Sequence, residues 1–206
     1  MDLEPPDEAV LRELVQNEQG FAAKEAVYML ARLDRLKDRH LLRDIQRHPS
    51  PHVRLALIQE IDQVPTEVAT WVLVELMRDE SSRVRVAAIE TLAQRGDASG
   101  IQALDHALDR PEFDEEPESV KKAYMVALAS VRGLDAVGRL EYVVRRADAW
   151  MARRTSEETA LAALYGLAQI RHPAAVDVLK AAVSSRNRAV RVEAKRHLER
   201  MKGDAP

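Results

Sequence analysis

Cysteine is absent from this chain of 206 residues, which excludes disulfide staples, thiolate metal ligands and cysteine nucleophiles and suits a reducing compartment. Aromatic residues make up only 4% and glycines number 7, too few for the glycine-rich turns of β-sandwiches and barrels. An excess of either charge is missing as well. Lys and Arg number 31 against 34 Asp and Glu, a net charge of −3, which removes the electrostatic case for a general nucleic-acid binder. There is no long hydrophobic run: the longest, Val68 to Met77, is too short to span a bilayer and contains Glu75. The opening residues, Met-Asp-Leu-Glu-Pro-Pro, lack the apolar core of a signal peptide, so a cytoplasmic protein is expected. What remains, 46% apolar and 32% charged, is the composition of a folded domain with an ample core.

That composition is organised as a repeat. The pattern Val84-Arg85-x-Ala87-Ala88-Ile89-x-x-Leu92 returns at Val53-Arg54, at Val120-Lys121 and at Val190-Arg191, with weaker copies from Ala22 and Ser156. The copies start 31, 31, 36, 36 and 34 residues apart. Their ninth position is always Leu or Ile (Leu30, Ile61, Leu92, Leu128, Leu164, Leu198), and apolar first, fifth and ninth positions make one stripe on an α-helix. A second stripe precedes each copy: Leu11, Leu42, Leu73 and Leu179 stand eleven residues upstream, and Leu104 and Leu140 stand five further back. Pro49, Pro51, Pro65, Pro111, Pro117 and Pro173 all fall between the stripes. Ser81, Ser119 and Thr155 or Ser156 are candidate N-caps for second helices, and Asp97 or Ser99 for a first one. The pattern predicts an all-α fold of twelve helices in six antiparallel hairpins. Each hairpin has one seam it cannot bury alone, so the six must stack as an α-solenoid. The expected units are 6–34, 38–64, 66–96, 98–133, 135–171 and 173–202, in a single domain spanning 1–206.

The segment Leu76-x-x-Asp79-x-x-x-x-Val84-Arg85-x-x-Ala88-x-x-x-Leu92 resembles the HEAT repeat in its short form of about 31 residues, common in bacterial proteins, and is similar to the HEAT-like repeats of phycobilin lyases. The resemblance implies a superhelix with second helices on its concave side, and a ladder of Asp and Arg between neighbouring units at the positions of Asp79 and Arg85. Arg54, Arg85, Lys121 and Arg191 keep the base. Asp79 keeps the acid, with Glu115 as a second candidate, and Glu157 stands where the fifth unit needs its base, which predicts a break in the ladder there. The last helix carries Glu193 and Lys195 where inner units carry Ala87 and Ile89, the composition of a C-terminal cap.

The family implies binding and no particular chemistry. On the concave side the third and seventh positions would present Tyr28, Leu55, Gln59, Val86, Glu90, Lys122, Val126, Glu158 and Arg196. Leu55, Val86, Val126 and Val192 would form a shallow apolar groove for a partner helix or extended peptide, unless curvature buries them between units. Two five-residue insertions fall between the helices of the fourth and fifth units. The first, 109–118, is acidic and carries Phe113; the second, 145–154, is basic and carries Trp150 with Arg153 and Arg154. Their charges can pair with each other, or the loops can add selectivity for a partner. Phe113 reads more as structure, and Trp150, with its arginines, more as an interface anchor.

The expected function is therefore a non-catalytic scaffold or adaptor that binds another protein. Neither a cofactor nor a metal is expected. His48 and His52 are separated by Pro49-Ser50-Pro51, which prevents the helix that would align them, and no His-Glu dipeptide of the diiron HEAT hydroxylases occurs. No phosphate loop or serine-nucleophile motif is evident. The alternatives are an enzyme of the chromophore-lyase or DNA-glycosylase type, and nucleic-acid binding through the basic C-terminal stretch from Lys180 to Lys202.

Overall fold

The structure, a computed structural model, describes residues 7–17, 20–148 and 154–203, with the side chains of Arg154 and Thr155 outside that set. No strand occurs among the described residues. The helices are α1 Glu8–Asn17, α2 Phe21–Arg32, α3 Arg39–Gln46, α4 Pro51–Gln59, α5 Thr66–Leu76, α6 Ser82–Arg95, α7 Ala98–Ala107, α8 Glu118–Arg132, α9 Val137–Arg146, α10 Arg154–Gln169, α11 Pro173–Ala182 and α12 Arg188–Gly203. Short 3-10 turns follow α4 (Ile61–Gln63), α7 (Pro111–Glu115) and α8 (Gly133–Ala136).

The chain divides within α6 into two compact units, Met1–Thr91 and Leu92–Pro206. In the first, α1 packs on α2 and α3 on α4, as hairpins; α2 then packs on α4, and α3 on both α1 and α5. In the second, α7 pairs with α8, α9 with α10 and α11 with α12; α10 lies between α8 and α12, and α9 packs on α11. Each unit is thus two layers, one of first helices and one of second helices.

The stripes are the core. The fifth position of every second helix is buried: Ala26, Leu57, Ala88, Tyr124, Ala160 and Ala194. So are the matching first-helix leucines, Leu11, Leu42, Leu73, Leu104, Leu140 and Leu179. At the ninth position Leu30, Ile61, Leu92, Leu128 and Leu164 are buried, and only Leu198 is half-exposed. Burying a Leu or Ile side chain contributes about 1.5–3 kcal/mol, so this one pattern supplies much of the driving force for stacking. Ile61 reaches the core although α4 has already ended at Gln59. The chain must leave the helix there because Val64 is extended ahead of Pro65, as a residue preceding proline must be.

The helix starts follow local chemistry. Pro51 and Pro173 open α4 and α11, where a missing N–H costs nothing. Asp97 caps α7, its carboxylate accepting from the Gly100 N–H at 2.7 Å. Ser119 does not cap α8. Pro117 already holds the extended backbone of an N-cap, and its carbonyl accepts from Val120 and Lys121, which places Ser119 inside the first turn. Thr155 and Ser156 likewise fall inside the first turn of α10, which begins at Arg154.

Asp38 caps α3 and joins two repeats at once. Its carboxylate accepts from the His40 N–H at 2.8 Å and pairs with Arg12 of α1 at 2.8 Å. The His40 N–H first, and then Arg12, hold this carboxyl below its ordinary range. A depressed carboxyl stabilises the fold above its unfolded pKa, about 3.9, and loses that contribution as pH falls through the lower folded value. Asp38→Ala is expected to cost about 1 kcal/mol at neutral pH. The gap between variant and parent should close in urea melts run at progressively lower pH below about 4.

Candidate functional site

Polar links between successive repeats fix the second helices before any surface is presented. Arg54 on α4 reaches Asp79, in the turn before α6, with two hydrogen bonds of 2.7 and 2.8 Å. The pair is only 4% and 5% exposed. One guanidinium nitrogen also donates back to the carbonyls of His48 and Pro49. Arg85 and Arg191 repeat that back-bond on the residues six and five positions earlier, so the recurrent base closes its own inter-helix turn as well as the ladder. In the second unit the fully buried Lys121 on α8 lies 3.3 Å from Glu158 on α10. Glu158 of the fifth repeat thus receives the base of the fourth, while Glu157, standing where the fifth repeat's own base would be, accepts from the Asn187 amide of the sixth repeat at 2.7 Å, a hydrogen bond in place of a base-to-acid rung.

The candidate partner surface separates by unit. In the first, Tyr28 on α2 and Gln59 on α4, both at the seventh position, share a hydrogen bond from the phenol to the amide oxygen. Leu55 and Val86 are half-buried and Glu90 is exposed. The apolar row is thus neither sealed by its neighbours nor fully open. Lys24 stands 4.9 Å from the centroid of Phe21 and 5.6 Å from that of Tyr28. Phe21, 73% exposed at the start of α2, is a large surface aromatic that the repeat pattern did not mark, because it precedes the first stripe position.

In the second unit Lys122 and Val126 are half-buried on α8. The Lys122 ammonium sits 3.7 Å above the ring of Tyr165 on α10, a cation–π contact. Glu158 lies beside them, but its carboxylate is engaged by Lys121. Val192 is exposed on α12. Trp150 and Arg153 lie outside the described residues, and so does the side chain of Arg154.

The acidic insertion is structural. Its 3-10 turn buries Phe113 edge-on against Tyr124, ring centroids 5.3 Å apart. Asp114 pairs with Arg146 at 2.6 Å and accepts from the Thr159 hydroxyl at 2.9 Å; Asp109 pairs with Arg139 at 2.7 Å. Acid from the fourth repeat thus meets base from the fifth. Phe113→Leu keeps the volume roughly constant and removes the ring contact, so a loss of about 1 kcal/mol in thermal or urea unfolding is expected.

Two further features escaped the repeat pattern. Trp71 is well exposed on α5 and shares a shallow concavity with Arg43 and Gln46 of α3 and with Arg47 just after it. On the second-helix side, Tyr165, Gln169, Arg171, His197 and Arg200 line a concavity of about 290 Å³. No group of three His, Asp or Glu residues among the described residues is placed to share a metal ion. No helix among them is long and apolar enough to cross a membrane.

Hairpins of two helices, stacked through one repeating buried stripe and tied by base-to-acid links, define a repeat protein of the α-solenoid class. The family model of HEAT repeats matches residues 39–121, and that of the PBS lyase HEAT-like repeat matches residues 160–185. The chain is a HEAT-repeat protein. No curated protein matches it. Among solved structures it is similar to an engineered protein, at 21% identity over 96% of this chain and 97% of that one, with a TM-score of 0.46. It is also similar to a designed armadillo repeat protein, at 22% identity over 95% of both chains with a TM-score of 0.42. A third, a designed armadillo repeat protein in complex with the peptide (KR)4, is 20% identical over 93% of this chain and 90% of that one, with a TM-score of 0.40.

Proposed function

We propose that this protein is a non-catalytic binding module that holds a segment of another protein, helical or extended, on its second helices, and that it works in the cytoplasm. The observation that carries this reading is the division of labour along those helices. Every fifth position and most first and ninth positions are spent on the core, while the third and seventh positions, the buried Ala162 apart, stay at the surface with a mixed character: half-buried Leu55, Val86 and Val126, hydrogen-bonding Tyr28 and Gln59, and charged Glu90 and Lys122. Apolar rungs flanked by polar groups are what a shallow docking surface needs, because the apolar part supplies affinity and the polar part fixes register. The buried links between repeats hold the surface in place beforehand, so on binding the protein itself has little left to order. In this reading Trp150, Arg153 and Arg154 add an edge contact beside the row. The absence of cysteine fits a reducing location.

Selection from a displayed library of extended and helical peptides tests the reading. Binders should be recovered, and Leu55→Glu with Val86→Glu should weaken those that dock on the first unit at least ten-fold, with the far-ultraviolet circular dichroism of the parent. Val126→Glu should do the same for the second unit. Recovered binders insensitive to all three substitutions would place the contact surface elsewhere.

A further inference from the structure

In the second unit, α12 and the segment after α10 bring positive charge to one concavity, and Lys122 of α8 stands beside it over the ring of Tyr165. Tyr165 and Gln169 on α10, one turn apart, form one wall. His197 and Arg200, again one turn apart on α12, form the other, and Arg171 closes the end beyond α10. Two other cations of α12 are already engaged. Arg191 donates to the Ser185 and Arg186 carbonyls at 2.8 Å, and Arg196 lies 3.5 Å from Glu193. Arg171 and Arg200 have no carboxylate partner among the described residues, and Lys122 has only the Tyr165 ring.

His197 is the second, independent sign. Its ring is 3% exposed and edge-on to Tyr165, centroids 5.6 Å apart. Nε2 lies 3.2 Å from the Glu193 carboxylate, but not in line for a hydrogen bond, so this buried nitrogen has no hydrogen-bond partner among the described residues. A buried ring nitrogen left without a hydrogen bond costs free energy, and this one lies in the wall of the concavity that Arg171 and Arg200 also line.

We infer that this concavity is an anion subsite of the partner-binding surface, which takes the carboxylate of a Glu or Asp side chain in an acidic protein segment. The inference rests on the proposed function for the segment and on the cluster alone for the charge. Two guanidinium groups match a carboxylate with paired hydrogen bonds, Lys122 adds a point charge, and Tyr165 and Gln169 flank the chain that carries the acid. A volume of about 290 Å³ accommodates a whole side chain rather than a bare ion. Burial first, and then the charges of Arg200, Arg196 and Lys122, hold His197 below the ordinary imidazole range, with Glu193 opposing them. A carboxylate seated among these cations cancels part of their field, so the titration of His197 moves up on binding.

Nuclear magnetic resonance of the full chain with acetylated hexaglutamate tests this without any knowledge of the natural partner. At low salt and constant pH the His197 ring and the Gln169 amide should shift saturably, and the His197 titration should move to higher pH. Acetylated hexaglutamine and hexalysine should do neither. Arg171→Gln with Arg200→Gln, both on exposed side chains, should weaken the effect about ten-fold or more while the rest of the spectrum stays in place. Shifts that are linear, spread over the surface, or unchanged in the double variant would overturn the inference. Saturation by inorganic phosphate without saturation by hexaglutamate would overturn the carboxylate assignment. Failure of the peptide selection on the Leu55, Val86 and Val126 row, with this titration intact, would instead remove the proposed function and leave the subsite standing.

Discussion

Asp79→Ala should lower the unfolding free energy by about 3 kcal/mol, more than any surface substitution in this chain. Its partner Arg54 is almost wholly enclosed, so removing the acid strands a charge that cannot reach water. Burial disfavours the Arg54 charge, but the Asp79 hydrogen bonds and the charges of Asp79 and Glu80 outweigh burial and raise its pKa further. The guanidinium therefore stays charged at every usable pH. What is left to it after the substitution is the His48 and Pro49 carbonyls and the exposed Glu80, 3.1 Å away. Asp79 also accepts from the Ser81 N–H at 2.8 Å, so the start of α6 loosens in the same variant. Arg54→Leu combined with Asp79→Leu should recover most of the loss, because a buried pair replaced by apolar groups of similar size is often close to neutral. A double-mutant cycle in urea that gives no coupling beyond about 0.5 kcal/mol would show that the link is incidental.

Gly166→Ala carries the second large effect, and its sign is not obvious. In a helix interior the change from Gly to Ala is worth about 1 kcal/mol in favour of folding. At position 166, however, a Cβ would stand 2.7 Å from the Met125 carbonyl oxygen and 3.0 Å from its carbonyl carbon. These are backbone atoms of α8, so neither can rotate away. The two helices must separate, and the layer they share, with Met125, Leu128 and Leu164, loses its fit. A net loss of about 2 kcal/mol is expected, overpacking outweighing propensity. Gly138→Ala on α9 is the control, since nothing lies within 4 Å of its added Cβ. It should stabilise by up to about 1 kcal/mol. Equal and favourable changes at both positions in thermal melts would contradict the close approach of α8 and α10.

The repeat was legible in the sequence because its information is local. Positions one, five and nine of a helix define a face without reference to any partner, and the same six fifth positions prove to be core. Prolines mark the turns for the same reason: their backbone restriction needs no context. The ladder was legible in part. The bases recur at a fixed register, so Arg54 was readable, but Lys121 finds its acid at Glu158 rather than at the position the pattern assigns. That choice depends on how α10 rotates against α8, which the spacing does not encode.

The anion cluster was illegible for a stronger version of that reason. Lys122, Tyr165 and His197 occupy the third, tenth and eighth positions of three different second helices, so no register groups them. Read linearly, His197 and Arg200 belong to a basic terminal stretch, and Tyr165 is one aromatic among few. Phe113 shows the opposite case. Its loop lies outside the repeat and so carries no periodic signal, yet an aromatic in an otherwise acidic segment is readily used as a plug, and Tyr124 supplies the surface it covers.

A charge scan along the second helices tests the division between core and surface most directly. Aspartate is placed in turn at each fifth position (Ala26, Leu57, Ala88, Tyr124, Ala160, Ala194) and at the candidate surface positions Tyr28, Leu55, Val86, Lys122 and Val126, and both folding stability and capture of a selected peptide are read. Fifth-position variants should lose cooperative folding. Surface variants should keep the melting behaviour of the parent within about 1 kcal/mol, and lose the peptide. Tolerance of aspartate at the fifth positions, or surface variants that fold and bind unchanged, would contradict the assignment.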